Sequence, residues 1–173
     1  MLPELEAHYA LLRRWNQKLN LTSEESPDRH YGESLFLAEH LPSGPLRIAD
    51  IGSGAGFPGF PVAVVRPNCQ VTLIESNQRK AVFLMEASRK QPNIRVLAKR
   101  AEDVTEQFDW VISRAVSYRD LAANLRRLAP NAALLTGAGA PPADLGFEWK
   151  TPLSLPDSNN RFLFVSRETG CFT

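Results

Sequence analysis

The sequence is poor in cysteine, in net charge and in long apolar runs. Only Cys69 and Cys171 occur among 173 residues. They show no metal-ligand spacing, so no metal site is expected. Two cysteines make no disulfide framework, and both are expected as reduced thiols of a cytoplasmic protein. No stretch approaches the roughly 20 apolar residues of a membrane span, so no membrane partner is expected. The opening MLPELEAHYALL carries acids and lacks a basic region followed by an apolar core, which argues against a signal peptide. Net charge is only +1, so no global field draws in nucleic acid. Fifteen of the 20 cations are arginines, which leaves room for a local basic face suited to phosphate. Repeats, low-complexity tracts and linkers are absent. A chain of this length predicts one domain, 1–173, with 1–42 as a helical segment packed on it. A monomer is expected.

What is present is organised around Leu46 to Gly59, LRIADIGSGAGFPG. A short apolar run breaks at once into Gly52, Gly54, Gly56 and Gly59. Glycine serves where backbone turns through positive φ or approaches a ligand closely. Pro58 and Pro61 suit the first turn of a helix. Strand, glycine loop and helix in this order form the ligand-cradling turn of a nucleotide-binding α/β domain. Gly54 to Gly59 fits the dinucleotide pattern G-x-G-x-x-G. Counted from Gly52 the run is D-I-G-S-G-A-G, with Asp50 two residues ahead, and this favours S-adenosylmethionine over NAD. Asp50 could orient the loop or accept from the cofactor's amino acid end. Phe57 could pack on the cofactor or belong to the core.

The periodicity predicts an amphipathic helix through Leu5, Tyr9, Leu12, Trp15 and Leu19, with Trp15 in the core. A second helix, capped at Ser26-Pro27, carries Tyr31, Leu35, Ala38 and Leu41 on one face. His30 near its start reads either as a functional residue or, equally well, as a surface or capping residue. Strands are predicted at 46–51, 71–75, 94–97, 108–114, 132–137, 149–155 and 162–166. Between them, helices are expected at 62–65, at 81–88 with Met85 in the core, and at 121–128. Glu75 ends the second strand 23 residues after Gly52, the offset of an acid that accepts from ribose hydroxyls. The last two strands have no helix between them and should pair antiparallel. The fold class is therefore α/β: a Rossmann-like, class I S-adenosylmethionine-dependent methyltransferase. Its sheet has seven mostly parallel strands, an antiparallel C-terminal pair and N-terminal helices.

HYALLRRWNQKLNLTS, DIGSGAGFPGFPVAVVRP and FDWVISRAV, with a weaker RFLFVSR, together resemble one family. It is the bacterial 16S ribosomal RNA guanine-N7 methyltransferases, also called glucose-inhibited division protein B. The resemblance implies S-adenosylmethionine as cofactor and 16S ribosomal RNA or the small ribosomal subunit as partner. It implies that Gly52, Phe57, Ala101, Glu102 and Arg114 contact or border the cofactor, with Glu75 on its ribose. Two positions depart from the family. Thr136-Gly137 stands where relatives have Lys-Gly, and Glu33 replaces an aspartate.

Guanine N7 offers a lone pair and no proton, so its methylation needs no general base. Arg114, the candidate catalytic residue, is expected to hold an anion: the cofactor's carboxylate, an RNA phosphate or, at most, guanine O6. Two rival readings stand beside this one. One is a methyltransferase of a small molecule or protein. The other is a cofactor-binding, RNA-binding module without activity.

Overall fold

The structure, a computed structural model, describes residues 1–23, 27–114, 116–137 and 139–169. Seven strands form one sheet: β1 (Arg47–Ile51), β2 (Gln70–Ile74), β3 (Ile94–Leu97), β4 (Trp110–Arg114), β5 (Asn131–Thr136), β6 (Leu153–Ser154) and β7 (Phe162–Val165). Their order is β3-β2-β1-β4-β5-β7-β6. The first five in this order run parallel, and β7 pairs antiparallel with both β5 and β6. The order reverses between β1 and β4. In an open α/β sheet, the crevice beyond the carboxyl ends of such strands is where ligands sit.

Both faces of the sheet are covered, which is why its strands are near-continuously apolar. Ile48, Val71, Leu73, Trp110 and Ile112 pack on one face with residues of α1 (Pro3–Asn16), α2 (Asp28–Glu39), α3 (Gly59–Val65) and α4 (Gln78–Ser88). Ala49, Ile51, Ile74 and Val111 pack on the other with α5 (Tyr118–Ala122) and α6 (Leu125–Leu128). The two sets alternate along each strand, as a period of two requires. Both N-terminal helices are part of the first core through Leu5, Leu12, Tyr31, Leu37 and Ala38.

Several expectations are corrected. Met85 is 48% exposed, because α4 turns Phe83 and Leu84 inward instead. The helix expected over 121–128 is two short helices, α5 and α6. The strand expected over 149–155 is reduced to Leu153–Ser154, plus an isolated bridge from Trp149 to Ser166. The N-cap of α2 is Pro27, and the Ser26 cap lies outside the described residues, as does Cys171. Cys69 is buried with a free thiol. Trp15 packs edge-on against Phe83 while its indole N–H donates to Glu86 Oε2 at 2.9 Å.

Candidate functional site

The glycine loop leaves the end of β1 and is tied at once to β2. The amides of Gly52 and Ser53 both donate to the Ile74 carbonyl, at 2.9 and 3.1 Å. Positive φ values of 69° at Gly52 and 55° at Gly54 make the turn possible. A Cβ on Gly54 would find only the Gly52 carbonyl oxygen, at 3.8 Å, so its outer side is open. Glu75 stands just past β2 and reaches across. Its Oε2 accepts from Gly54 N at 3.3 Å and its Oε1 from Asn77 N at 3.4 Å.

Two cavities flank this loop. One, of about 420 Å³, is lined by Gly52, Gly54, Phe57, Arg29, His30 and Arg114. The other, of about 260 Å³, is lined by Gly52, Ile74, Ser76, Ala101, Glu102 and Asn124. Gly52 and Val116 line both, so one elongated ligand can lie across the carboxyl edge of the sheet; Glu75 lines neither cavity but is bonded to Gly54, which lines the first. A larger cavity of about 700 Å³ lies between α1 and α4, away from the strand ends.

The structure brings Gly52, Gly54, Phe57, Glu75, Ala101, Glu102 and Arg114 to this edge, and places two predicted residues elsewhere. Asp50 has zero exposure. It points beneath the loop, where its Oδ2 accepts from Gly59 N at 2.9 Å, so its geometry is that of a loop orienter. Gly56 is turned inward: a Cβ there would stand 3.1 Å from His8 Nε2. Phe57 is 6% exposed and packs edge-on against Tyr31 and His8, so its ring is mainly core.

Arg114 does hold an anion, but the anion is the protein's own. Its Nε donates to Glu33 Oε2 at 3.1 Å. Arg161, just ahead of β7, donates to the same carboxylate through Nε at 2.6 Å and Nη2 at 3.0 Å. Glu33 is buried in α2, which by itself raises a carboxyl; the Arg161 and Arg114 guanidiniums outweigh this and hold it below the usual range. Arg161 and the burial of Glu33 were not legible from spacing. His30, read as surface or cap, is also buried and meets Thr22 Oγ1 at 3.2 Å.

His8 is the other residue that sequence reasoning missed. It falls in register with Leu5 and Leu12, the apolar face of α1, which was its one signal. The ring stacks on Phe60, with centroids 4.3 Å apart. Nε2 is 2.9 Å from the Ala55 carbonyl and Nδ1 is 2.6 Å from Tyr31 Oη. A carbonyl only accepts, so Nε2 carries the proton and Nδ1 accepts from the tyrosine. Neutral His8 thus holds the glycine loop from below. On the far side of the sheet, Arg127 donates to the Ala101 and Val104 carbonyls and fixes the turn bearing Ala101 and Glu102.

His8 and Asp50 make opposite demands on pH. Burial lowers His8 from 6.5 to about 4 and raises Asp50 from 3.8 to about 7. The stability that neutral His8 contributes is present above its unfolded value and is lost as pH falls from 6.5 toward 4. That from neutral Asp50 is present at low pH and is lost as pH rises from 3.8 toward 7. Each window corresponds to about 3–4 kcal/mol at 1.36 kcal/mol per unit. Thermal melts between pH 4 and 7 should therefore diverge. Relative to wild type, Asp50→Asn should lose more stability on acidification and His8→Gln less. Parallel profiles for all three proteins would refute this opposition.

The family model described as rRNA small subunit methyltransferase G (GidB) matches residues 1–142. A ribosomal RNA small subunit methyltransferase G of Nitrosomonas europaea is 49% identical over 115 residues, covering 62% of this chain and 53% of that protein. One of Stenotrophomonas maltophilia is 38% identical over 177 aligned positions, covering 90% and 81%. The chain thus spans about half the length of the first relative and most of the second. Among solved structures, an S-adenosylmethionine-dependent methyltransferase from Aquifex aeolicus superposes with a TM-score of 0.62 at 14% identity, covering 96% of this chain and 98% of that one. Aeropyrum pernix fibrillarin with bound S-adenosyl-L-methionine gives 0.62 at 16% identity, covering 79% and 75%. These likenesses show the class I methyltransferase fold. The match over most of its length places this chain in the rRNA small subunit methyltransferase G family.

Proposed function

We propose that this protein transfers a methyl group from S-adenosylmethionine to N7 of a guanine in small-subunit ribosomal RNA. One observation carries the reading: the family match over 1–142 contains the whole glycine loop, Glu75, the Ala101-Glu102 turn and Arg114. The residues present suit the cofactor. The open side of Gly54 admits a ligand, Glu75 can accept from ribose hydroxyls, and the cavity beside Ala101 and Glu102 can take an adenine. When bound, the cofactor supplies an electrophilic methyl on a sulfonium.

The chain's own work is then positional. Alignment of reacting atoms and exclusion of water are worth up to about 7–11 kcal/mol in well-held cases. N7 must keep its lone pair, so a donor aimed at it would oppose reaction. The product base is cationic, and a bare guanidinium 4 Å away would oppose it by about 4 kcal/mol at an effective dielectric of 20. Pairing Arg114 with Glu33 reduces that repulsion.

The test is incubation with labelled S-adenosylmethionine, 16S rRNA transcript and small subunits, with the modified base mapped. Label at guanine N7 is expected; label only on a small molecule or protein overturns the reading, as does cofactor binding without transfer. Calorimetry should show S-adenosylhomocysteine binding and no NAD binding. Glu75→Ala should weaken that binding about tenfold to a hundredfold, since a bond to a charged group is worth about 1.5–3 kcal/mol. Glu75→Asp should lose less. Unchanged affinity in Glu75→Ala would return Glu75 to a loop support for Gly54.

A further inference from the structure

Arg161 lies outside the matched family segment and was assigned no role by its sequence. Its guanidinium shares one carboxylate with Arg114, so the two cations stand side by side at the carboxyl edge of the sheet. Glu33 is 1% exposed, against 13% for the Arg114 side chain and 20% for Arg161. The carboxylate is therefore behind and the guanidiniums in front. Arg161 spends Nε and Nη2 on Glu33, and its Nη1 has no acceptor among the described residues. That nitrogen faces Gly137, where a Cβ would come within 3.2 Å. The missing side chain keeps it clear.

Topology says which ligand this edge meets. The glycine loop follows β1 and Glu75 follows β2, whereas Arg161 stands just ahead of β7, three strands beyond β1 in the sheet order. At about 4.8 Å per strand its backbone is roughly 14 Å from the glycine-loop strand, and its side chain lines neither cavity beside the loop. Resting on the RNA reading above, we infer that Arg161, aimed by Glu33 and next to Arg114, binds a backbone phosphate of the substrate RNA close to the methylated base. Fixed by the Glu33 pair, its remaining Nη1 is held ready for a phosphate oxygen and needs no ordering on binding.

The test compares wild type, Arg161→Ala and Arg161→Lys, each first confirmed as folded by thermal melting. Three readouts are taken: S-adenosylhomocysteine binding by calorimetry, 16S rRNA transcript binding across a salt series, and methyl transfer at varied RNA. Arg161→Ala should bind the cofactor product as wild type does. Its RNA affinity should fall, the slope of log K against log salt should drop by about one unit, and KM for RNA should rise with little change in kcat. Arg161→Lys should recover the slope but only part of the affinity, since an ammonium cannot hold Glu33 through two donors and keep a third fixed for the phosphate. An unchanged slope and KM in Arg161→Ala, with wild type active, would reduce Arg161 to a tie between α2 and the sheet. Lost cofactor affinity without RNA would reassign it to the cofactor's carboxylate. Wild type that neither binds nor methylates RNA overturns this inference and the function together.

Discussion

Gly59→Ala is expected to cost about 3 kcal/mol or more of fold stability, from overpacking and a lost hydrogen bond together. Gly59 opens α3, and its backbone does not need positive φ, so alanine meets no conformational barrier there. The obstacle is space. A Cβ would stand 2.6 Å from Asp50 Oδ2 and 2.9 Å from Asp50 Cβ, and still closer to Leu73 Cδ2. All three belong to sheet strands on which α3 rests, so the helix must lift. Lifting it breaks the Gly59 N–H bond to Asp50, whose Oδ1 already has no hydrogen-bond partner among the described residues. Because a domain of this size holds only about 5–15 kcal/mol, the loss should show as a large drop in urea midpoint at near-constant slope. Gly32→Ala is the control: nothing lies within 4 Å of a Cβ there, and it sits inside α2. It should gain up to about 1 kcal/mol from helix propensity. A wild-type midpoint for Gly59→Ala would show that α3 does not rest on Asp50.

Glu33→Ala is expected to destabilise by about 3–5 kcal/mol, the usual cost of removing one partner from a buried ion pair. The substitution leaves the Arg114 and Arg161 guanidiniums facing each other with their shared carboxylate gone. It also unties α2 from β4 and β7. Because Glu33 is held below the usual carboxylate range, its contribution is complete at neutral pH and is lost only as acid protonates it. The double variant Glu33→Ala with Arg161→Ala should be less destabilised than the two single losses summed, since the second change removes part of the repulsion the first created. Strict additivity in denaturant unfolding would show that the two side chains do not interact.

The sequence by itself determined the strand and helix order, the glycine loop and the acid after the second strand. These are local: apolar runs, glycines at a turn and an offset of 23 residues between Gly52 and Glu75 can be counted along the chain. It also foretold the antiparallel last pair, because two strands without a helix between them have little other way to pair. What it could not decide is which groups meet across long separations. Glu33 and Arg161 are 128 residues apart, and His8 and Ala55 are 47 apart. Each looks like a common helix or strand-edge residue until packing brings its partner. Asp50 shows the limit most clearly. Its place before the loop is legible from the sequence, but the strand's period of two, combined with a helix seated over that face, turned its carboxylate inward to Gly59. Tertiary structure alone decided that Arg114 meets Glu33, because only the folded sheet with α2 laid against it holds those charges together largely out of water.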